Sequence, residues 1–312
     1  MALEERLDGA PAIRVEGLSK RYGRVDALVH LDLEVPPGEV LGYLGPNGAG
    51  KTTTIRLLLG FLRPSAGRAM IFGTDCTEQP VKAHSHTAFV PGEANLWPSF
   101  TGEESLELLG NLHGQFDRAY KDQLIERFGL DPSKKVRDYS RGNRQKVLII
   151  AALMTKARLL LLDEPSSGLD PLVEKEFQSA IREARQRGQT IFLSSHSLSE
   201  VEALSDRVAI LRDGRLAEVG ALSQMRHLSA ITLEVEFAAA APDVSAVPGV
   251  SNATADGHWL RCQVQGPVEP LLQALAGTGV LRILSREPSL EELFLAYYGT
   301  GHDQTSVAPV AS

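Results

Sequence analysis

Gly45-Pro46-Asn47-Gly48-Ala49-Gly50-Lys51-Thr52 fits the pattern Gly-x4-Gly-Lys-[Ser/Thr] of a phosphate-binding loop. The glycines let the backbone turn so that several N–H groups point into one concavity, and the helix that follows adds the positive end of its dipole. Lys51 brings a point charge to the β- and γ-phosphates, and the Thr52 hydroxyl can ligate Mg²⁺. Gly45, Asn47, Gly48, Ala49, Gly50, Lys51, Thr52 and Thr53 are therefore the nucleotide-binding candidates. At average glycine usage, a chance match in a chain of this length is on the order of one in a hundred. The plainer alternative is a Gly-rich turn ahead of a structural helix. The context argues for the loop: Val40 to Leu44 reads as a buried strand before it, and Thr52 to Leu62 as a helix after it. That helix is expected to end near Arg63-Pro64, because proline disfavours helical geometry in the residue before it.

Downstream, Arg158-Leu159-Leu160-Leu161-Leu162-Asp163-Glu164 resembles a Walker B strand, a core strand with acids at its carboxyl edge, where ligands bind in parallel sheets. Asp163 would hold Mg²⁺ through a water, and Glu164 would orient or activate the water that attacks the γ-phosphate. A leucine run with two acids is by itself often a strand entering a solvated turn; the upstream loop favours the chemical reading. Short strands are expected at 13–15, 27–35, 69–72, 87–90 and 191–194, helices at 101–130, 140–154 and 171–187, and a hairpin at 208–219 around Asp213-Gly214. Alternating strands and helices argue an α/β layer with a parallel sheet.

The chain has 312 residues, which predicts about two domains. Lys plus Arg is 32 and Asp plus Glu is 39, a net charge of −7, which argues against a general nucleic-acid coat. The longest apolar run, Val147 to Met154, falls well short of the ~18 residues that span a bilayer. The start Met1-Ala2-Leu3-Glu4-Glu5-Arg6 shows no signal peptide, and Cys76 and Cys262 are too few for a disulfide or zinc framework. A soluble cytoplasmic protein is expected. Composition shifts near residue 229; beyond it, strands at 231–237, 259–264 and 280–284 and helices at 269–276 and 289–298 make a small α+β domain. Ser289 with Glu292 fits a capping box for the last helix.

The residues after Glu164 carry a family resemblance. Pro165-Ser166-Ser167-Gly168-Leu169-Asp170-Pro171 resembles the D-loop of ATP-binding-cassette (ABC) ATPases, and Ser194-Ser195-His196 looks like their switch histidine. Tyr139-Ser140-Arg141-Gly142-Asn143-Arg144-Gln145-Lys146 looks like a variant of their signature, usually Leu-Ser-Gly-Gly-Gln, and Tyr22 falls where the family stacks an aromatic on adenine. The resemblance implies the α/β P-loop NTPase ABC ATPase fold over 12–225: a RecA-like core, an N-terminal β-subdomain and a helical subdomain at about 93–155. A small α+β accessory domain follows at 229–299, with flexible tails at 1–11 and 300–312. It also implies a mechanism. Two cassettes close head to tail around Mg-ATP, each nucleotide lying between one P-loop and the other chain's signature, where Ser140, the N–H groups near Gly142 and a helix N-terminus form a second anion site. Glu164, His196 and Lys51 are the catalytic candidates, Thr52 and Asp163 the Mg²⁺ ligands.

Two departures stand out. Arg141 replaces the first signature glycine, where it could crowd the site or add a phosphate contact, and Asn143 replaces the usual glutamine. In Phe89-Val90-Pro91-Gly92-Glu93, Gly92 stands where the family's Q-loop glutamine is expected, and Glu93 is expected to substitute for it. The order of parts resembles bacterial ABC exporter ATPases for drugs, antibiotics or lipids. That implies a homodimer peripheral to the cytoplasmic face of the membrane, docked on a separate transmembrane permease. Trp97 and Phe100 either line the permease contact or pack within the helical subdomain. The Pro288-Ser289-Leu290-Glu291-Glu292-Leu293-Phe294 ending looks like the close of the C-terminal domain such exporters carry, a regulatory or dimer-supporting module. Against a P-loop kinase or GTPase stands the lack of an Asn-Lys-x-Asp motif. A non-transport ABC ATPase acting on ribosomes or nucleic acid is favoured only by the basic run Lys134, Lys135, Arg137, Arg141, Arg144, Lys146, read here as a solvated face with phosphate contacts, so no nucleic-acid partner is expected. An importer ATPase is separated only by the C-terminal resemblance.

Overall fold

The computed structural model describes residues 9–114, 116–221 and 231–286, and the chain divides into two compact units, Met1–Gly220 and Ala221–Ser312. The first begins with strands β1 (Ile13–Tyr22), β2 (Val25–Val35) and β3 (Val40–Leu44), then helix α1 (Lys51–Leu58), β4 (Ala66–Ile71), β5 (Thr74–Asp75), α2 (Pro80–His84) and β6 (Thr87–Val90). Three helices follow, α3 (Gly102–His113), α4 (Arg118–Arg127) and α5 (Arg141–Met154). The unit closes with β7 (Leu159–Asp163), α6 (Pro171–Gln186), β8 (Thr190–Ser195), α7 (Leu198–Leu204) and the hairpin β9 (Arg207–Arg212) and β10 (Arg215–Ala221).

Apolar patterning decides which strands go where. β3, β7 and β8 are buried at every position, the mark of parallel strands covered on both faces. They form a six-stranded sheet of order β10-β9-β3-β8-β7-β6, in which β9, β3, β8, β7 and β6 run parallel. β1 and β2 alternate in part, and they join β4 and β5 in an antiparallel sheet of order β2-β1-β4-β5. Leu106, Leu124, Phe128, Val147 and Ile150 of the helices share one core with Leu160 and Leu162 of β7 and Phe177 of α6. The helix α6 is held by a stripe of Val173, Phe177, Ala180, Ile181 and Ala184, spaced for one face. Gly42 lets α7 lie directly on β3: a Cβ there would meet Val201 Cγ1 at 2.4 Å and Ser205 Oγ at 2.6 Å.

Several expected boundaries move. α1 stops at Leu58, ahead of Pro64, because Gly60 adopts φ 62° and its N–H and that of Phe61 close on Leu57 O and Arg56 O. The helical stretch expected at 101–130 is two helices, broken at Gly114 with φ 100°. The hairpin turn Asp213-Gly214, with φ 49° and 73°, has the left-handed pair a two-residue turn needs. Elements not anticipated include β5, α2, α7 and the strand 250–256 of the second unit.

The second unit is α+β: β11 (Ile231–Phe237), β12 (Val250–Asp256), β13 (Trp259–Val264), α8 (Glu269–Leu275) and β14 (Val280–Arg286), in an antiparallel sheet of order β12-β13-β11-β14. Leu233, Val235, Phe237, Leu260 and Cys262 pack with Leu271 and Leu275 of the helix. β12 escapes periodicity because it is an edge strand, polar and largely exposed. The expected helix at 289–298 with its Ser289 cap, the Pro288–Phe294 ending and the tail from 300 lie outside the described residues.

Candidate functional site

The parallel sheet delivers the chemistry to one edge. The carboxyl ends of β3, β7, β8 and β6 lead into Gly45-Pro46, Asp163-Glu164, His196 and Pro91-Gly92, the crevice where open α/β sheets bind ligands. A cleft of about 500 Å³ there is lined by Thr52, Gly92, Glu93, Arg141, Asp163 and Glu164.

The loop after β3 is fixed from behind. Gly45 has no room for a Cβ, which would sit 2.6 Å from Leu211 O, and Gly50, at φ 111°, would place one 2.7 Å from Ala27 O. Gly214 of the β9–β10 turn donates its N–H to Ala49 O at 3.1 Å. The loop backbone is therefore shaped before any ligand arrives, while Pro46, Asn47 and Gly48 at its tip are exposed. Lys51 opens α1 with its side chain 5% exposed, and its Nζ donates to Gly45 O at 2.7 Å and to Pro46 O at 3.2 Å. The same ammonium lies 3.5 Å from Glu164 Oε1. Thr52 is exposed on the cleft and Thr53 is half-buried behind it.

Asp163 is buried at the end of β7, opposite Ser194 in the β7–β8 register, and Ser194 Oγ donates to its Oδ1 at 2.6 Å. Glu164 follows at φ 48°, a left-handed conformation uncommon for a non-glycine residue and concentrated at functional sites. That turn lets its N–H donate to Ser194 O at 3.0 Å while its carboxylate lies between two partners. Oε1 faces Lys51, and Oε2 is 3.2 Å from Nδ1 of His196. His196 is 59% exposed, so its ring reaches solvent beside the carboxylate.

Gly92 abuts β7: a Cβ would come 3.1 Å from Asp163 O, tighter than side chains tolerate without a shift. Glu93 is the acidic side chain this segment brings to the cleft. Ser140 is the N-cap of α5, accepting the Asn143 N–H at 3.2 Å, and it is exposed. Gly142 packs against the D-loop, where a Cβ would be 2.7 Å from Gly168 O. Neither Ser140 nor Gly142 lines the cleft that holds Thr52 and Asp163. Arg141 lines the cleft, and its Nη2 donates to Ser167 Oγ at 2.9 Å. Tyr22 ends β1 with 45% of its surface exposed and Lys20 Nζ 5.2 Å from its ring centroid, apart from the cleft lining.

Three supporting residues escaped the sequence reading. Ser194 is one; its position before Ser195-His196, paired across the sheet with Asp163, was the available signal. Gln145 is buried in α5, and its Nε2 donates to Pro165 O at 3.1 Å, tying the signature helix to the turn after β7. Glu200 is buried in α7 and reaches Ser195. Among the described residues, no group of three or more His, Cys, Asp or Glu could hold a metal. The oxygen donors in the cleft, the Thr52 hydroxyl and the Asp163 carboxylate, suit a hard cation that takes its other ligands from phosphate and water.

Comparison with known proteins places these features. Residues 28–167 match the family model described as ABC transporter. The chain is 35% identical to the daunorubicin resistance ATP-binding protein DrrA3 of Streptomyces coeruleorubidus, over 94% of this chain and 97% of that one. It is 31% identical to the bacitracin transport ATP-binding protein BcrA of Enterococcus faecalis, over 93% and 97%. Among solved structures, an ATP-binding subunit of an ABC transporter superposes with a TM-score of 0.64 at 31% identity, covering 69% of this chain and 92% of that one.

Proposed function

The chain belongs to the ATP-binding proteins of ABC transporters, and from that premise we propose that it hydrolyses Mg-ATP in a head-to-tail homodimer. The work drives a separate permease that exports a drug, antibiotic, lipid or similar compound. Relatives named for daunorubicin resistance and bacitracin transport support the substrate class, and one named for Nod factor export supports the direction. No described helix is long and apolar enough to cross a membrane, so transport needs a membrane partner, with this chain peripheral to it on the cytoplasmic face.

One observation carries the reading: Glu164 lies within reach of both Lys51 and His196 at the edge of a cleft lined by Thr52 and Asp163. In the proposed roles, the loop N–H groups and Lys51 bind the β- and γ-phosphates, and Tyr22 receives the adenine. Thr52, and Asp163 through a water, would hold Mg²⁺, whose charge offsets that developing on the phosphoryl oxygens. Glu164 accepts a proton from the attacking water, while His196 holds that carboxylate and hydrogen-bonds the γ-phosphate. Glu93 would take the place of the Q-loop glutamine and help hold the ion. Ser140, exposed and outside the cleft of its own chain, is free to complete a partner's site with the α5 N-terminus.

The test is a Glu164→Gln chain in Mg-ATP. It is expected to bind ATP, release phosphate at least ~100-fold more slowly than the wild type, and sediment as a dimer. A chain that stays monomeric even beside its permease overturns the shared-site reading. For docking, the support is Trp97, 44% exposed and stacked on Phe100 with centroids 5.8 Å apart. Trp97→Ala is expected to weaken co-purification with the permease, and wild-type recovery removes that contact from the reading.

A further inference from the structure

Among the described residues, the two buried side-chain polar atoms without a hydrogen-bond partner, Glu200 Oε1 and Ser205 Oγ, both belong to α7 and its C-cap. Native proteins rarely leave such groups unpaired, and those they keep call for an explanation. Glu200 is 1% exposed, a carboxyl taken almost wholly out of water. Burial pushes it above the ordinary carboxylate range, against the opposing pull of Ser195, Ser166 and His196. Core packing would be served more simply by an apolar side chain.

Its contact with Ser195 explains the placement. Ser195 Oγ donates to Glu200 Oε2 at 2.5 Å, and Ser195 Oγ itself accepts the Ser197 N–H at 2.9 Å. Ser197 is the N-cap of α7, and its Oγ accepts the Glu200 N–H at 3.3 Å. Both neighbours of His196 are thus bound to one residue, the first through its hydroxyl and the second through its cap. The helix that carries this residue cannot retreat, since Val201 and Ser205 pack onto β3 at Gly42. A ring that must meet Glu164 at 3.2 Å from an exposed loop needs its backbone fixed on both sides.

We propose that Glu200 is a positioning residue for ATP hydrolysis: through Ser195 and Ser197 it clamps the backbone on either side of His196, so that the imidazole is held against Glu164. The proposal rests on the roles assigned above to Glu164 and His196. Glu200 touches no substrate; it acts through the histidine. A misplacement of about 1 Å in a reacting group can cost on the order of 100-fold in rate, which is the scale of effect at stake.

The experiment compares the full chain with Glu200→Leu and Glu200→Gln. Glu200→Leu removes the Ser195 acceptor and the unpaired oxygen together. It is expected to lower kcat by about 10- to 100-fold, to leave KM for ATP within about twofold, and to hold or raise the melting temperature. Glu200→Gln keeps an oxygen for Ser195 and is expected to restore the rate to within about threefold of wild type. The His196 ring resonances, assigned with His196→Ala, are expected to shift and broaden in the leucine variant and to stay in place in the glutamine variant. Wild-type kcat in Glu200→Leu overturns the proposal, and so does a parallel loss of kcat and melting temperature that glutamine does not rescue. Unchanged His196 resonances in Glu200→Leu overturn it without reference to turnover. If the wild-type chain releases no phosphate while those resonances still move, the clamp stands and the hydrolase reading falls.

Discussion

Arg141 begins α5, where a cation opposes the positive end of the helix dipole at a cost of about 0.3–1 kcal/mol. Its guanidinium is turned away from the helix axis onto the D-loop: Nη2 bonds Ser167, and the side chain lies along Gly168, whose φ of 85° forms the turn. One exposed hydrogen bond returns about 1 kcal/mol, so the residue is nearly neutral for stability and its use lies in joining two loops. Arg141→Ala is expected to unfold within about 0.5 kcal/mol of wild type in denaturant while hydrolysing ATP several-fold more slowly. Arg141→Lys, whose ammonium can also donate to the single acceptor Ser167 Oγ, should recover part of the rate. A wild-type rate in Arg141→Ala would leave the contact without a part in turnover. Lys51, Thr52, Asp163 and Glu164 are proposed from residue type and spacing and His196 from the family resemblance; in the structure Thr52, Asp163 and Glu164 line one cleft, with Lys51 and His196 beside Glu164. Ser194, Gln145 and Glu200 were hidden because a hydroxyl, an amide and a helix carboxylate carry no chemistry until strand register and burial supply a partner.

Elements join through a few ion pairs that span long sequence separations. Arg127, the last residue of α4, meets Glu183 of α6 in two parallel hydrogen bonds of 2.9 Å, with Glu176 3.3 Å from its Nε. The hydrogen bonds from Arg127 hold the Glu183 carboxyl below its ordinary range. A carboxyl depressed in the folded state adds stability above its unfolded value, near pH 4.3, and loses it as pH falls through the folded value. The pair is partly exposed, so solvent screening limits its worth to about 0.5–1 kcal/mol. Glu183→Gln is therefore expected to lower the unfolding free energy measured in urea at pH 7 by that amount, with the difference closing only below about pH 4; a gap that persists in acid would assign the loss to packing. A second element test is the capping box of α3, in which Thr101 Oγ1 accepts the Glu104 N–H and Glu104 accepts the Thr101 N–H. Thr101→Ala should cost about 1 kcal/mol in the same melt. Strands at 87–90, 159–163 and 231–237 were readable because apolar runs and alternation survive into the fold. The end of α1 was not, since Gly60 had already closed the helix before the proline that drew attention.

At the scale of the whole molecule, local pattern separates the fully buried β3, β7 and β8 from the partly alternating β1 and β2, but the order of strands within the parallel sheet is not written in it. Those pairings join residues far apart, such as Leu41 with Phe192 and Leu159 with Thr87, and only packing selects them. The composition shifts near residue 229, and the compact units divide between Gly220 and Ala221. Their cores are separate: the buried clusters of the first unit draw on residues from Ala12 to Leu211, and that of the second on residues from Leu233 to Leu275. None of the residues proposed for ATP chemistry or its positioning lies beyond Glu200. A chain truncated after Ala221, which keeps β10 whole, should then retain a complete core and a complete nucleotide cleft. It is expected to unfold in one cooperative calorimetric transition within a few degrees of the first unit's transition in the full chain, and to bind a fluorescent ATP analogue within about threefold of wild-type affinity. If the second unit supports dimerisation, the loss will show elsewhere, in a higher protein concentration needed for Mg-ATP-dependent dimers of Glu164→Gln. A truncated chain that aggregates or fails to bind nucleotide would mean that the first unit draws its stability from the residues removed.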